Sequence, residues 1–478
     1  MCAALAIPLA VIVAWALLRW SGTWPFGSDN DEYRLVADEL LESGRPVVAG
    51  VEATKYPLGY PLVLALLDSL GLPVTRAALA LNLALVVALA AVVVQLARSL
   101  GQRMAAIPAA VYAVGGAGLW GSVFMTMPDL AFVVAAAAVL WWVGKLRSAR
   151  DVWVLVALVS AATLLKSVGL LVGVTASVAV VFAPRPLRRL AWAPTAAALA
   201  VTAAMAGLNA PHPEHTTGYA RTFFLVDPTD ATAGKVSLLG LLQRLPDRAH
   251  LVLRDAEVAV VGQQITRPWS WLAVVALLAA GAWATWGVVT RRAYVLAFLV
   301  IWLPAMAVWP YSSFRFQLPL VVIAAAGVGH LAERVVRRAG PAGAVAVAVA
   351  LGLYLWSEGG QLRRDAAFEE TALGAVAADT EAAAAWGAAN IPPGDVIASF
   401  AYREIAYRLD RPVVPFGYTS DLASLLDDAD DAGARWLVVM PPLYRARGEL
   451  EARFIAAFPD RLRLAHDTAT VDTYELLP

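Results

Sequence analysis

Residues 28–61 read SDNDEYRLVADELLESGRPVVAGVEATKYPLGYP, and this stretch decides how the chain is interpreted. It follows a strongly apolar first segment, yet it opens with Asp29, Asp31 and Glu32 and closes with Lys55 beside a turn rich in tyrosine and proline. Between these ends Tyr33, Leu35, Val36, Leu40 and Leu41 recur at helical spacing among charges. That pattern predicts a short helix lying along a membrane surface rather than crossing it. Acids and a base are then held near the bilayer, where a lipid-borne substrate would present its head group. The rest of the chain reads as the scaffold for them.

Composition sets the class. Of 478 residues, 60% are hydrophobic and 15% charged, and the mean hydropathy is +0.65. With repeated long apolar runs, this describes a polytopic α-helical membrane protein. A net charge of zero gives no basic field for a nucleic-acid partner. The single cysteine, Cys2, excludes an intramolecular disulfide or a cysteine-based metal cluster. Residues 1–20 lack a basic leader and a clear cleavage site, so they read as an uncleaved first span. The abundance of Ala, Val and Arg suits a GC-rich bacterial genome, and the expected location is a bacterial plasma membrane.

The apolar runs are 2–19, 76–97, 103–120, 128–144, 152–166, 168–183, 188–208, 269–290, 293–310, 316–333 and 341–356. Most approach the roughly 20 residues that a helix needs to cross ~30 Å of hydrocarbon. About 11 transmembrane helices are therefore expected. The run at 57–70 follows Pro57 and reads as a re-entrant or interfacial helix. Basic residues cluster at Arg98 and Arg103, at Lys145, Arg147 and Arg150, at Arg185, Arg188 and Arg189, at Arg291 and Arg292, and at Arg334, Arg337 and Arg338. All five groups fall on one side of the alternating spans, the cytoplasmic side by the positive-inside rule; Arg19 is the exception. The N-terminus is then cytoplasmic. A first loop (21–75), a large loop (209–268) and residues 358–478 lie outside.

The chain thus divides into a transmembrane module, 1–357, and a small extracytoplasmic α/β domain, 358–478. In the latter DVIASF, RPVVPF and ARWLVVM read as short buried strands, separated by helical stretches near 402–409, 420–432 and 447–458. It holds no phosphate-binding glycine motif, paired-cysteine motif or nucleophile elbow, so it reads as a stabilising or acceptor-positioning module.

The candidate chemistry lies at the outer ends of the spans. Asp29, Asp31 and Glu32 suit the first turn of a helix for dipole reasons alone. They equally suit a general base, because a carboxylate beside a hydroxyl can take its proton as a bond to a sugar carbon forms. Lys55 either snorkels at the interface or meets a lipid phosphate. Asp129, in MTMPDL, is a helix N-terminal acid or a second acidic site. Arg315, in WPYSSFRFQLPL, either anchors the interface or stabilises charge on a departing phosphate. Lys166 is an outer-loop residue or a second phosphate contact. His212 and His215, with Glu214 in PHPEH, have the spacing of a metal pair, but such short matches arise by chance and no metal site is assigned. The stretch YARTFFLVDP, 219–228, reads as a lid or acceptor-facing segment.

These residues carry a family resemblance. Asp29 and Tyr33 as D-x-x-x-Y, then YPLGYP, then Asn82 in the next span resemble the opening of GT-C fold glycosyltransferases. Nearest are the polyprenyl-phosphate-sugar-dependent enzymes of the protein mannosyltransferase and aminoarabinose transferase type. Asp129 of MTMPDL matches their second acidic position, Lys166 their basic residue before a span, and RFQLPL their R-[FY]-x-L-P element. The resemblance covers nearly the whole chain in order, and its external α/β domain is also similar. It implies a polyprenyl-phosphate sugar donor and an extracytoplasmic glycan, glycolipid or protein acceptor. Asp29 would be the base, with Asp31 or Glu32 in reserve. Lys55, Arg315 and Lys166 would bind donor phosphate, and Asp129, with Tyr33 and Tyr56, would shape the acceptor site. Transfer would be a single inverting displacement. The chain departs from the family in having Leu58 where relatives often show a second proline, and aspartate where their second acid is commonly glutamate.

A polyprenyl phosphate is already a reasonable leaving group, so a protein need mainly position two substrates and screen charge. No cofactor is required, and a divalent cation at the acidic loop is an option that no ligand spacing demands. Two rival readings predict different placements. A lipid transporter or flippase would set ionisable residues at mid-membrane and show repeated halves. A non-catalytic envelope assembly protein would have no need for Asp29, Lys55 and Arg315 to converge.

Overall fold

The computed structural model describes residues 28–48, 52–53, 56–208, 223–227, 230–262, 270–309, 313–368, 374–399, 401–409, 411–416, 421–440 and 445–478. Every apolar run expected within these residues is helical. The run at 2–19 lies outside them. The acidic stretch opens with α1 (Ser28–Glu42), followed by a small antiparallel pair, β1 (Val47–Val48) and β2 (Glu52–Ala53). Next come α2 (Gly59–Ser69), α3 (Val74–Ser99), α4 (Ala106–Gly115), α5 (Ala117–Val123) and α6 (Asp129–Trp142). They are followed by α7 (Ala149–Leu165), α8 (Gly169–Val181) and α9 (Ala193–Leu208). A second pair, β3 (Leu225–Asp227) and β4 (Asp230–Lys235), precedes α10 (Leu238–Val261), α11 (Ser270–Ala284), α12 (Val289–Val308) and α13 (Leu320–Phe368).

The predicted span count and the helices differ. By length and apolar composition four described helices are able to cross a membrane, or five if the pair α4 and α5, bent by 62°, forms one span. Others, such as α8 and α11, are apolar but only 13 and 15 residues long. Glycine and proline account for part of the difference. Gly116 breaks one predicted run between α4 and α5. Within α13, Gly340 takes φ 55, ψ −133 just before Pro341, a conformation open to glycine without a side-chain clash. That break divides α13 into segments matching the runs expected at 316–333 and 341–356.

The helical core is built around large side chains. Phe298 stacks on Trp302 at 4.8 Å and Phe132 on Trp302 at 6.1 Å, all three buried. The basic stretches near residues 98–103, 141–150, 291 and 337 meet in the structure. There Arg291 donates to the carbonyls of Ser99 and Trp141, at 3.4 and 3.2 Å, capping the ends of α3 and α6. Glu333 accepts from the amides of Met104 and Ala105, at 2.9 and 3.1 Å. Each contact satisfies backbone groups that a helix terminus leaves open.

The 57–70 run forms α2, which buries Tyr60, Pro61, Leu64 and Ala65 and exposes Leu62, Val63 and Leu66, a distribution that suits an interfacial helix. Gly59 is required by close approach: a Cβ there would lie 2.6 Å from the Leu164 carbonyl oxygen near the end of α7. The large loop expected at 209–268 contributes the amphipathic α10, whose Val252, Ala256, Ala259 and Val260 pack into the core.

The C-terminal unit begins with α14 (Gly374–Asn390), because α13 continues past residue 358 to Phe368. It then runs β5 (Val396–Ser399), α15 (Tyr402–Arg408), β6 (Val413–Pro415), α16 (Leu422–Asp431), β7 (Ala434–Val439), α17 (Arg445–Ala457), β8 (Leu462–Asp467) and β9 (Asp472–Leu476). The sheet order is β6-β5-β7-β9-β8. The three predicted strands form its parallel part, whereas β9 and β8 add antiparallel strands that were not expected. Both are charged and only partly buried, so they lack a hydrophobic signature.

The helix expected in the acidic stretch forms as α1 and is enclosed by protein on two sides. Tyr33 and Ala37 pack with Tyr60, Leu64 and Ala77 of α2 and α3. Val36, with Leu35 against it, joins Val376, Tyr402 and Ile405 of the C-terminal unit. The polar face of α1 is therefore covered by protein rather than left to water.

Asn82, on α3, fixes the approach to the next site residue. Its Nδ2 donates to the carbonyls of Val123 and Met125 at 3.0 and 2.8 Å, and its Oδ1 accepts from the Tyr60 hydroxyl at 3.4 Å. Asn82→Ala leaves these buried groups unpartnered and is expected to cost about 1–3 kcal/mol. Melting in detergent checks this: a midpoint equal to wild type would remove Asn82 from that role.

Candidate active site

Four charged side chains from distant parts of the chain meet where α1 reaches the bundle. Asp29 is in the first turn of α1, and Asp129, following Pro128, begins α6. Lys166 ends α7, and Arg315 sits in a 3-10 turn (Phe314–Gln317) whose N-cap, Ser313, accepts from the Arg315 amide. The Arg315 guanidinium reaches Asp29 Oδ2 at 2.9 Å and Asp129 Oδ2 at 3.7 Å. Lys166 Nζ forms an ion pair with Asp129 Oδ1 and lies 4.7 Å from the centroid of the Phe316 ring. Two acids and two bases thus cancel at a largely desolvated site, as buried charge requires.

The two carboxylates differ in access. The Asp129 side chain is 2% exposed, whereas that of Asp29 is 27% exposed. Water therefore reaches Asp29, while Asp129 pairs with both Lys166 and Arg315. The Tyr56 hydroxyl donates to Asp29 Oδ1 at 2.6 Å, fixing the carboxylate plane. Tyr33, one turn along α1, stacks on the Tyr56 ring at 4.9 Å.

Asp31 and Glu32 share the helix with Asp29, but the helical twist carries Asp31 to another face. Asp31 is fully buried and accepts from Arg34 Nη1 at 3.3 Å and from Arg408 Nη1, in α15, at 3.4 Å. Burial pushes its carboxyl above the usual range, against the opposing pull of Arg34 and Arg408. Glu32 is buried as well. Lys55, the PHPEH stretch and residues 219–222 lie outside the described residues.

A small pocket adjoins the Arg315 turn. Ser313, Phe316 and Gln317 line it from that turn, and Arg248 and Asp255 from α10. Neither Arg248 nor Arg408 stood out in the sequence. One lies in a segment with no motif, and the other is 377 residues from its partner Asp31.

The donor set does not suit a divalent cation. Arg315 lies between the two carboxylates that would have to coordinate it, and Lys166 already pairs with Asp129. Among the described residues no group of three His, Cys, Asp or Glu gathers elsewhere.

No family model and no curated protein matches the sequence. Solved structures do match the fold. One is ArnT from Cupriavidus metallidurans bound to undecaprenyl phosphate, with a TM-score of 0.64, 15% identity, and coverage of 98% of this chain and 97% of that one. The Archaeoglobus fulgidus oligosaccharyltransferase in complex with Zn and sulfate matches with a TM-score of 0.61 at 12% identity, over 99% of this chain and 74% of the other. A third is the arabinofuranosyltransferase AftD from Mycobacteria, with a TM-score of 0.50 and 16% identity, over 99% of this chain and 41% of that one. The chain has a GT-C-like fold, that of these membrane glycosyltransferases.

Removing one member of a buried ion pair leaves the other uncompensated, at roughly 3–5 kcal/mol. Lys166→Met is therefore expected to lower the melting midpoint in detergent, and adding Asp129→Asn to recover part of the loss. A double variant showing merely the sum of the two single effects would mean that the pair is not coupled.

Proposed function

We propose that this chain is an integral membrane glycosyltransferase that moves a sugar from a polyprenyl-phosphate donor to an extracytoplasmic glycan, glycolipid or protein. The carrying observation is the convergence of Asp29, Arg315, Asp129 and Lys166 at one site. The similarity to a fold that holds undecaprenyl phosphate supports the donor class. The charge asymmetry of the loops supports a cytoplasmic N-terminus and an external C-terminal unit.

The residues divide the chemistry between them. The acceptor hydroxyl oxygen attacks the anomeric carbon from the face opposite the phosphate. As that bond forms, the bond to phosphate oxygen breaks and the leaving polyprenyl phosphate takes the electron pair. Asp29 receives the hydroxyl proton. Arg315 and Lys166 stabilise charge on the leaving phosphate, and Lys55 is a third candidate for that contact. Asp129 holds the two cations and, with Tyr33 and Tyr56, shapes the acceptor side. One displacement inverts the anomeric centre, and no covalent sugar-enzyme species forms.

Asp29 is paired with Arg315. A donor phosphate competes for the same guanidinium and releases the carboxylate for the acceptor proton. No step uses a metal.

Transfer from a panel of radiolabelled polyprenyl-phosphate sugars to native membrane extract tests the reading, with wild type compared to Asp29→Asn. General-base catalysis of this kind contributes about 10²–10⁴-fold, so a loss of that size in a folded variant is expected. Equal transfer by both proteins would remove Asp29 from the role. No transfer by wild type from any donor would move the assignment toward a lipid transporter or an assembly protein.

A further inference from the structure

We propose that Arg408 of the C-terminal unit positions the base helix α1 through the buried carboxylate of Asp31, so that the C-terminal unit sets the aim of Asp29. This rests on the assignment of Asp29 as base. Four contacts support it. Arg408 donates to Asp31 Oδ2 at 3.4 Å and, through Nε, to Glu381 Oε1 on α14 at 2.9 Å. Asp31 Oδ1 accepts from Arg34 Nη1 at 3.3 Å. Arg34 Nε donates to Thr126 Oγ1 at 3.2 Å, three residues before Asp129. One continuous network thus ties α14 and α15 to α1, and α1 to the turn that delivers the second acid. Tyr407 fills the space between the two guanidinium groups, with its ring centroid 5.1 Å from Arg34 and 5.6 Å from Arg408.

Cohesion between the two units does not require these charges. Val36, Leu58, Val376, Tyr402 and Ile405 already pack together as an apolar cluster across the interface. A buried ion network adds little net stability, because desolvation offsets most of the attraction. What it adds is direction. An apolar contact tolerates sliding and rotation of a helix, whereas the hydrogen bonds Arg408–Asp31 and Arg34–Thr126, which tie α1 to two different neighbours, restrict both.

The magnitude is sufficient to matter. A helix with its side chains is about 10–12 Å across, so a rotation of roughly 10° moves a side-chain tip by about 1 Å. A misplacement of about 1 Å can cost on the order of 10²-fold in rate. Asp29 lies two residues before Asp31, so any roll of α1 is transmitted to the carboxylate that faces Arg315. Arg408 and Arg34 are thus positioning residues; neither needs to touch substrate.

The test uses the full chain in detergent with Arg408→Gln, Arg408→Lys and the double variant Asp31→Asn/Arg408→Gln. The double variant removes both members of the Arg408–Asp31 pair, while Arg34 keeps its hydrogen bond to Thr126. Two readouts are taken: steady-state transfer, and hydrogen exchange over residues 28–42. The expected result is a kcat lower by about 10–100-fold in Arg408→Gln and in the double variant, with the donor KM unchanged. Exchange in α1 should be faster, and Arg408→Lys should restore part of both. A double variant with wild-type kcat, or a loss appearing in KM alone, overturns the proposal. If wild type transfers from no donor, the glycosyltransferase reading fails, and exchange then decides the positioning network: protection of α1 equal to wild type in both charge-removing variants overturns it.

Discussion

Arg315 lies between two carboxylates that the chain brings from residues 29 and 129, and the arrangement at this end of the molecule depends on that contact. A guanidinium in a largely desolvated setting demands compensation, and two acids with one further cation supply it. The result is a neutral cluster that is cheap to bury yet highly polarised. An anionic group of the right shape enters by replacing carboxylate contacts with its own. Electrostatic preorganisation of this kind costs no reorganisation when charge develops. The difference in exposure between Asp29 and Asp129 leaves one carboxylate open to water and the other enclosed.

The supporting elements explain how four side chains meet with useful accuracy. Each sits at or beside the end of a helix, where the backbone is fixed by the bundle but the side chain projects beyond it. Asn82 gathers the carbonyls of the turn before Asp129, and Gly59 lets α2 approach the end of α7 just before Lys166. α1 is held on two sides, by tyrosines and small residues against the bundle and by an apolar and ionic interface against the C-terminal unit. The C-terminal unit is therefore part of the scaffold of the site, although no motif within it suggests chemistry.

Much of this was legible in residue order. Apolar runs located the helices because burial in lipid or in a bundle imposes hydrophobicity over many consecutive positions. Asp29, Asp129, Lys166 and Arg315 were legible because charges at the ends of such runs are costly and therefore few. The break at Gly116 was not, since composition reads 103–120 as one continuous run. β8 and β9 escaped notice because β8 buries none of its residues and β9 only Thr473 and Leu476, so neither carries a hydrophobic pattern.

Composition and the order of its charged punctuation specified a membrane-embedded helical scaffold, a mixed α/β unit after it, and a short set of acids and bases at one face. These are local properties, written in hydropathy and in the chemistry of single residues. Which acid serves which purpose depended on the folded chain. Asp29 and Asp31 are two residues apart and chemically identical, yet one faces Arg315 and the other is closed beneath Arg408. A helix turns about 100° per residue, and the partners that cover each face come from positions hundreds of residues away. Their roles are set by packing, which no local pattern encodes.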